Sequence, residues 1–246
     1  MSENTNTWIL VGDHPILKHE QTGVTVLFGD TFSSSDSEII IPWICTGDKV
    51  FECGIQWKEE GANSWNYIKK EKDIAQKTVL NDLPSSFPVE VRIYAVTLDE
   101  SVIYSGIERL ATQFSSIGDK KDPHLISDYS DLLAFNNLVW NGCYFAGEIV
   151  KLTCDIDLKG NKGIFWNPIR SRYNDGTFDG ENDGFNGEFD GDGHTISNMY
   201  IKTNSGCAGF FANVDGYIHD LTIVESNIVS NALPNDNNGL VGVGGI

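Results

Sequence analysis

Asp155 and Asp157 stand two residues apart in Cys154-Asp155-Ile156-Asp157-Leu158. On a strand that spacing puts both carboxylates on one face. A paired set of this kind can cleave a polysaccharide by general acid–base chemistry, or it can close turns and satisfy neighbouring backbone. A second acidic group lies further on. Between Asp175 and Asp192 fall Asp175, Asp179, Glu181, Asp183, Glu188, Asp190 and Asp192, with no Lys or Arg among them. Asp179, Glu181 and Asp183 with Gly184 and Asp190 partly mimic a calcium loop, because hard cations take carboxylate oxygens. Glu at the third position, Asp as the last ligand and no flanking helices depart from the EF-hand pattern, which leaves a looser calcium site as the reading for Asp179, Glu181, Asp183 and Asp190.

Other reactive side chains are sparser. His194 has no second histidine at metal-ligand spacing, so a structural role is expected. Cys45, Cys53, Cys143, Cys154 and Cys207 form no C-x-x-C, and an odd count cannot pair fully within one chain. They read as small buried hydrophobes, with a hairpin disulfide between Cys45 and Cys53 left open. Trp65 and Tyr67 can stack on a ligand, but packing across strands is the expectation. There is no H-E-x-x-H, no G-x-S-x-G and no phosphate loop.

These residues must be held by strands. The 246 residues are 40% hydrophobic, with 25 Gly and two Met, and Val, Ile, Thr and aromatics suit pleated, half-buried surfaces. The formal net charge of −18 repels nucleic-acid phosphates and anionic lipid, so neither nucleic acid nor membrane insertion is expected. No apolar run has the length of a transmembrane helix. Met1-Ser2-Glu3-Asn4 has neither the basic head nor the apolar middle of a signal peptide.

Up to about Thr112, strand-like runs recur: Val24–Phe28, Glu38–Cys45, Val50–Lys58, Asn66–Lys69, Lys77–Leu83, Val89–Leu98 and Val102–Leu110. Phe51, Cys53, Ile55 and Trp57 alternate with polar or small residues, as do Val89, Val91, Ile93 and Ala95. Period two predicts one buried face and one wet face, and seven short strands in this length suggest a β-sandwich. The segments Cys53-Gly54-Ile55-Gln56-Trp57-Lys58-Glu59, Trp65-Asn66-Tyr67, Leu83-Pro84 and Val89–Ala95 together resemble a fibronectin type III domain over about 75 residues. That family's corner tyrosine would fall near Val89, which has no hydroxyl. The resemblance implies a spacer or binding module.

Ser115-Ser116-Ile117-Gly118-Asp119-Lys120-Lys121-Asp122-Pro123 is polar and ends in Pro, so residues 115–124 read as a linker between residues 1–114 and 125–246. A helix is expected over Asp128–Trp140, capped by Ser127, with an apolar stripe of Leu132, Leu133, Phe135 and Val139 and a stop at Asn141-Gly142. Such a helix would cover the first of the coils that follow.

From Gly147 short apolar strands alternate with Gly and Asn/Asp turns. Ile196-Ser197-Asn198-Met199-Tyr200-Ile201 echoes Ile218-His219-Asp220-Leu221-Thr222-Ile223, and Gly209-Phe210-Phe211-Ala212 echoes Gly239-Leu240-Val241-Gly242. A repeat near 22 residues predicts stacked parallel strands, with Ile196 beside Ile218 and Met199 near Leu221. Cys154-Asp155-Ile156-Asp157-Leu158, the run Phe185-Asn186-Gly187-Glu188-Phe189-Asp190-Gly191-Asp192-Gly193-His194-Thr195-Ile196 and Gly239-Leu240-Val241-Gly242 resemble the GLUG-motif surface proteins of bacteria. The resemblance implies a right-handed parallel β-helix, extracellular or cell-surface placement and an adhesion-like role. It also favours the structural reading of Asp155 and Asp157, which the motif itself places.

The expected fold is therefore mainly β: an N-terminal sandwich, a short capping helix and a partial right-handed parallel β-helix. The expected function is non-catalytic adhesion or interaction at a surface, with a protein or glycan ligand on another surface as partner. No cofactor is expected beyond calcium. A phage tail or receptor-binding component, which would account for the missing signal peptide, and a polysaccharide-binding or polysaccharide-cleaving β-helix are the alternatives. Gly239–Ile246 reads as the opening of a coil, so self-association through an open C-terminal coil is expected as well.

Overall fold

A computed structural model describes residues 7–11, 14–18, 23–29, 32–72, 75–161, 163–172, 184–203, 207–230 and 242–243. The chain divides into two compact units, one of residues 1–83 with 89–109, the other of residues 84–88 with 110–246. Both are built from strands, and the described residues contain one α-helix.

The first unit opens with the hairpin β1 (Thr7–Val11) and β2 (His14–Lys18). Its remaining strands are β3 (Thr25–Phe28), β4 (Ser33–Ser34), β5 (Ile39–Thr46), β6 (Val50–Glu59), β7 (Asn66–Lys70), β8 (Gln76–Leu80), β9 (Pro88–Thr97, its first residue counted with the second unit), β10 (Val102–Tyr104) and the start of β11 (Glu108–Ala111), whose last two residues belong to the second unit. One antiparallel sheet joins β3, β4 and β8 to the central β5. The other runs β10-β9-β6-β7, with β11 also on β9. Ile39, Ile41, Trp43 and Cys45 of β5 and Val89, Val91, Ile93 and Ala95 of β9 are all buried, as period two requires.

The turn Thr46–Lys49 carries the chain from one sheet to the other, so Cys45 and Cys53 lie in different sheets. Both are buried thiols, and Cys53 Sγ points at the carbonyl of Lys70 at 3.7 Å. Alternation fails at Gln56 and Tyr94, which it places on the wet face and which are buried, and at Phe51. Phe51, expected inside, is 71% exposed. The register shifts between Val50 and Glu52, and this bulge turns Phe51 outward while Val50 fills the interior.

The second unit contains β12 (His124–Ile126), α1 (Tyr129–Trp140), β13 (Ile149–Leu152), β14 (Ile156–Asp157), β15 (Glu188–Asp190), β16 (Thr195–Ser197) and β17 (Tyr200–Thr203). It continues with β18 (Cys207–Ala208), β19 (Tyr217–His219), β20 (Thr222–Val224), β21 (Asn227–Ser230) and β22 (Gly242–Val243). Every strand pair here is parallel. The ladders are β12-β13-β15-β19, β14-β16-β20, β17-β21 and β18-β22. Successive passes of the chain thus stack rung on rung, the arrangement of a parallel β-helix.

The stacking is parallel, as expected, but its register differs from the sequence echo. Ile196 lies beside Ile223, not Ile218, and Ile218 lies beside Phe189. Ile196 and Ile218 are therefore in different sheets. Each coil contains several strand–turn–strand corners of like pattern, so the echo matched one corner with the next one along. Likewise Gly242 pairs with Cys207 rather than Ala212, and residues 231–241 lie outside the described set.

Residues 115–124, read as a linker, belong to the second unit. Gly118 accepts from Ile149 N at 2.7 Å, and the buried His124 bonds Ser116 and Glu148, both at 2.8 Å. The coil thus begins with β12, ahead of the helix. Asp128, not Ser127, is the helix N-cap: its carboxylate accepts from Asp131 N, while Asp131 accepts from Ser127 N. Asn141 is the C-cap and Gly142 follows at φ +93°. Leu132, Ala134, Phe135, Leu138 and Val139 are buried in one cluster with Val150, Leu152, Phe185, Phe189, Phe210 and Phe211. The Phe135 ring centroid is 5.4 Å from Phe185 and 5.7 Å from Phe189. Leu133, predicted to be as deep as Leu132, is only partly buried.

Candidate functional site

The first sheet of the stacked unit sets two outward columns beside an inward one. Val150, Phe189 and Ile218 stack inward. Lys151, Asp190 and His219 form one outward column, and Ile149, Glu188 and Tyr217 the other. Parallel pairing keeps each residue directly beside its counterpart one rung away, so side chains far apart in sequence become neighbours.

Charge pairing follows the columns. Lys151 Nζ lies 3.0 Å from Asp192 and 3.4 Å from Asp190. Its pKa is raised chiefly by the Asp192 hydrogen bond, then by the Asp190 charge, against partial desolvation. His219 sits among three carboxylates. Nδ1 is 2.9 Å from Asp220 and 3.6 Å from Asp190, while Nε2 is 3.2 Å from Glu188. The Asp220 hydrogen bond above all, with Glu188 and the Asp190 charge, lifts the imidazole above its ordinary value.

The Ile149–Glu188–Tyr217 column also walls a cleft of about 590 Å³. Its rim carries Asp119, Lys120, Glu148, Asn186 and Asp215, with Gly147, Gly187 and Gly216 between them. Tyr217 is 65% exposed. An exposed aromatic face with amide, ammonium and carboxylate groups around it can stack on one ring of a ligand and hydrogen-bond its edges.

Asp155 and Asp157 lie elsewhere, at the β14-β16 ladder. Asp155 Oδ1 accepts from Thr195 N at 2.8 Å and faces His194 Nδ1 at 3.3 Å. Asp157 Oδ1 accepts from Lys159 N at 2.7 Å and Asn198 Nδ2 at 2.9 Å. The pair clasps one rung to the next, and His194 is part of that clasp. The Thr195 backbone N–H lowers the pKa of Asp155, and the Asn198 amide lowers that of Asp157. A depressed folded-state value means stabilisation present above the unfolded pKa and lost as pH falls through the folded one. The melting temperature of the chain is therefore expected to fall on acidification below about pH 4. Asp155→Asn with Asp157→Asn should flatten that fall, as read by circular dichroism melts. An unchanged acid slope would show that these carboxylates do not carry it.

Of the proposed calcium set, Asp179, Glu181 and Asp183 lie outside the described residues. Asp190 is described, and its side chain turns to Lys151 and His219. Asp190 also closes its own turn, Oδ1 accepting from Asp192 N at 2.8 Å. In the first unit Trp65 is capped by Arg92 at 4.2 Å and Lys58 at 5.1 Å, and Tyr67 packs edge-on to Tyr94 at 5.9 Å. Trp65 thus packs across strands, whereas Tyr67 meets Tyr94 by an edge and is 65% exposed. His219, Asp220, Lys151 and Tyr217 were not singled out from the sequence. Aligning Glu188-Phe189-Asp190 with Tyr217-Ile218-His219 would have found Tyr217 and His219, since both are short strands with a central apolar residue.

Comparison with known proteins adds little to this geometry. No protein-family model matches the sequence. An alignment 124 positions long, covering 48% of this chain, is 29% identical to halomucin of Haloquadratum walsbyi (strain DSM 16790 / HBSQ001). The match spans 1% of halomucin's length. Among solved structures, a pectate lyase from Pectobacterium carotovorum is similar at 13% identity, TM-score 0.30, over 83% of this chain and 56% of that one. A structure described as that of a myokine is similar at 16% identity, TM-score 0.29, over 37% of this chain and 94% of that one.

Proposed function

We propose that this chain is a non-catalytic binding protein of the extracellular space or cell surface, in which a β-sandwich carries a β-helix that takes a glycan. The observation that carries the reading is the cleft beside Tyr217. An exposed aromatic ring, the Asn186 amide, the Lys120 ammonium and several carboxylates converge on a space of about 590 Å³, within the size range of small-ligand sites. Four acids, Asp119, Glu148, Glu188 and Asp215, face the single Lys120 there. The field of the cleft, like the chain's net charge of −18, disfavours a polyanionic sugar and favours a neutral or basic one. The likeness to halomucin supports the extracellular placement, and no helix of the described residues is long and apolar enough to cross a membrane. The hydrogen bonds that engage Asp155 and Asp157 support the non-catalytic part.

A glycan array probed with the full chain tests this. Binding to neutral or amino sugars is expected, and Tyr217→Ala should weaken it by about tenfold, the ~1.4 kcal/mol of a good stacking contact. Binding confined to polyuronates, or indifferent to Tyr217→Ala, would refute the assignment, and so would turnover of the bound glycan.

A further inference from the structure

The geometry points to a divalent metal site of the zinc class, built by His219 Nδ1, Asp190 and Asp220 on the outer face of the first β-helix sheet. One ligand atom from each of the three residues lies within 4.8 Å of the other two, and the Nδ1 distances to Asp220 and Asp190 are 2.9 and 3.6 Å. The three come from two rungs: Asp190 ends β15, His219 ends β19 and Asp220 follows it.

The imidazole is oriented as a metal-bound histidine is. Glu188 Oε1, from the preceding rung, lies 3.2 Å from Nε2. With Nε2 turned to that carboxylate, Nδ1 is the ring nitrogen that faces Asp190 and Asp220, and an ion bound there would take the place of the proton, giving the carboxylate–histidine–metal relation. Glu188 is not a ligand in this arrangement; it positions one. Lys151 lies against Asp190 Oδ2, so Oδ1, the oxygen nearer His219, is the one left for an ion. Oδ1 also accepts from Asp192 N and retains a second lone pair.

Charge argues the same way. Glu188, Asp190, Asp192 and Asp220 meet one ammonium, that of Lys151, and one imidazole. Four carboxylates outnumber these two basic groups, so this corner holds an excess of negative charge that a divalent cation relieves. The nitrogen donor selects the metal. Calcium and magnesium take oxygen ligands, whereas imidazole suits zinc, copper and nickel. The site therefore differs in metal from the calcium loop expected around Asp179–Asp190. Two protein carboxylates and one histidine leave open positions for water, as in exposed zinc sites.

Titration of the tag-free full chain with Zn(II) by calorimetry, and with Co(II) by visible absorption, tests the inference. Expected are one strong zinc equivalent, unaffected by millimolar calcium, and a cobalt ligand-field band. His219→Gln and Asp220→Asn should each abolish both. Glu188→Gln, which removes no ligand, should weaken zinc by about 10–100-fold. Circular dichroism of each variant separates loss of the site from loss of the fold, and Asp155→Asn serves as a variant that keeps zinc. Zinc binding that survives His219→Gln, as binding at the cysteines would, overturns the inference. So does displacement of zinc by calcium, or no strong equivalent at all.

Discussion

Leu132→Asp is expected to abolish the cooperative melt of the second unit. Leu132 is 0% exposed and shares a cluster with Phe135, Phe185 and Phe189. Removing such a leucine costs about 2–5 kcal/mol, and an unpaired buried carboxylate adds several more. The sum approaches the whole net stability of a domain, about 5–15 kcal/mol. Leu133→Asp should do much less, because Leu133 is only partly buried and the carboxylate keeps contact with water. The contrast between neighbours is the useful part: the helix presents one side to the core and the adjacent position to its rim. Scanning calorimetry of the two variants, with fluorescence from Trp140 and Trp166, reads it directly. Equal losses would mean that α1 does not sit on the core as described.

Gly191→Ala is expected to cost about 2–4 kcal/mol, from overpacking and a weakened rung-to-rung hydrogen bond. A Cβ on Gly191 would lie 2.4 Å from Asp220 O and 2.6 Å from Leu221 Cα. Both are backbone atoms of the next rung and cannot rotate away. The Gly191 N–H donates to His219 O at 2.9 Å, so widening the gap also strains the ladder. Gly193 gives the control. It has φ +79° with nothing within 4 Å of its virtual Cβ, so Gly193→Ala meets backbone strain of about 1 kcal/mol rather than a clash. Amide exchange through Tyr217–Val224 should accelerate in the first variant far more than in the second. If the two variants exchange alike, close approach is not why Gly191 is glycine.

Those two glycines mark how far a motif can be read. Asp190-Gly191-Asp192-Gly193 was legible as a tight turn, and Asp190 does bond the Asp192 N–H. That Gly193 serves φ while Gly191 serves proximity was not legible, because proximity belongs to residues 220 and 221 of another rung. The same limit explains Phe51. Alternation assigned it inward, and a one-residue bulge against β9 reversed it. A bulge is a property of the pair of strands, and one strand's sequence does not report it.

Local pattern alone determined the strand-rich character of the chain, the helix over Tyr129–Trp140 and the parallel stacking after Gly147. Each depends on periodicity or capping within a few residues, where side chains and backbone interact directly. Tertiary structure alone decided which residues meet. The offset between stacked partners is 27 residues from Ile196 to Ile223 and 29 from Phe189 to Ile218, because the Asp190–His194 turn is two residues longer than its counterpart. Corners within a coil resemble one another as closely as corners in successive coils, so a sequence echo leaves the register open. Only the shared core of Phe135, Phe185, Phe189 and Phe211 selects one register. With that register chosen, Lys151, Glu188, Asp190, Tyr217 and His219 come together on one outer face.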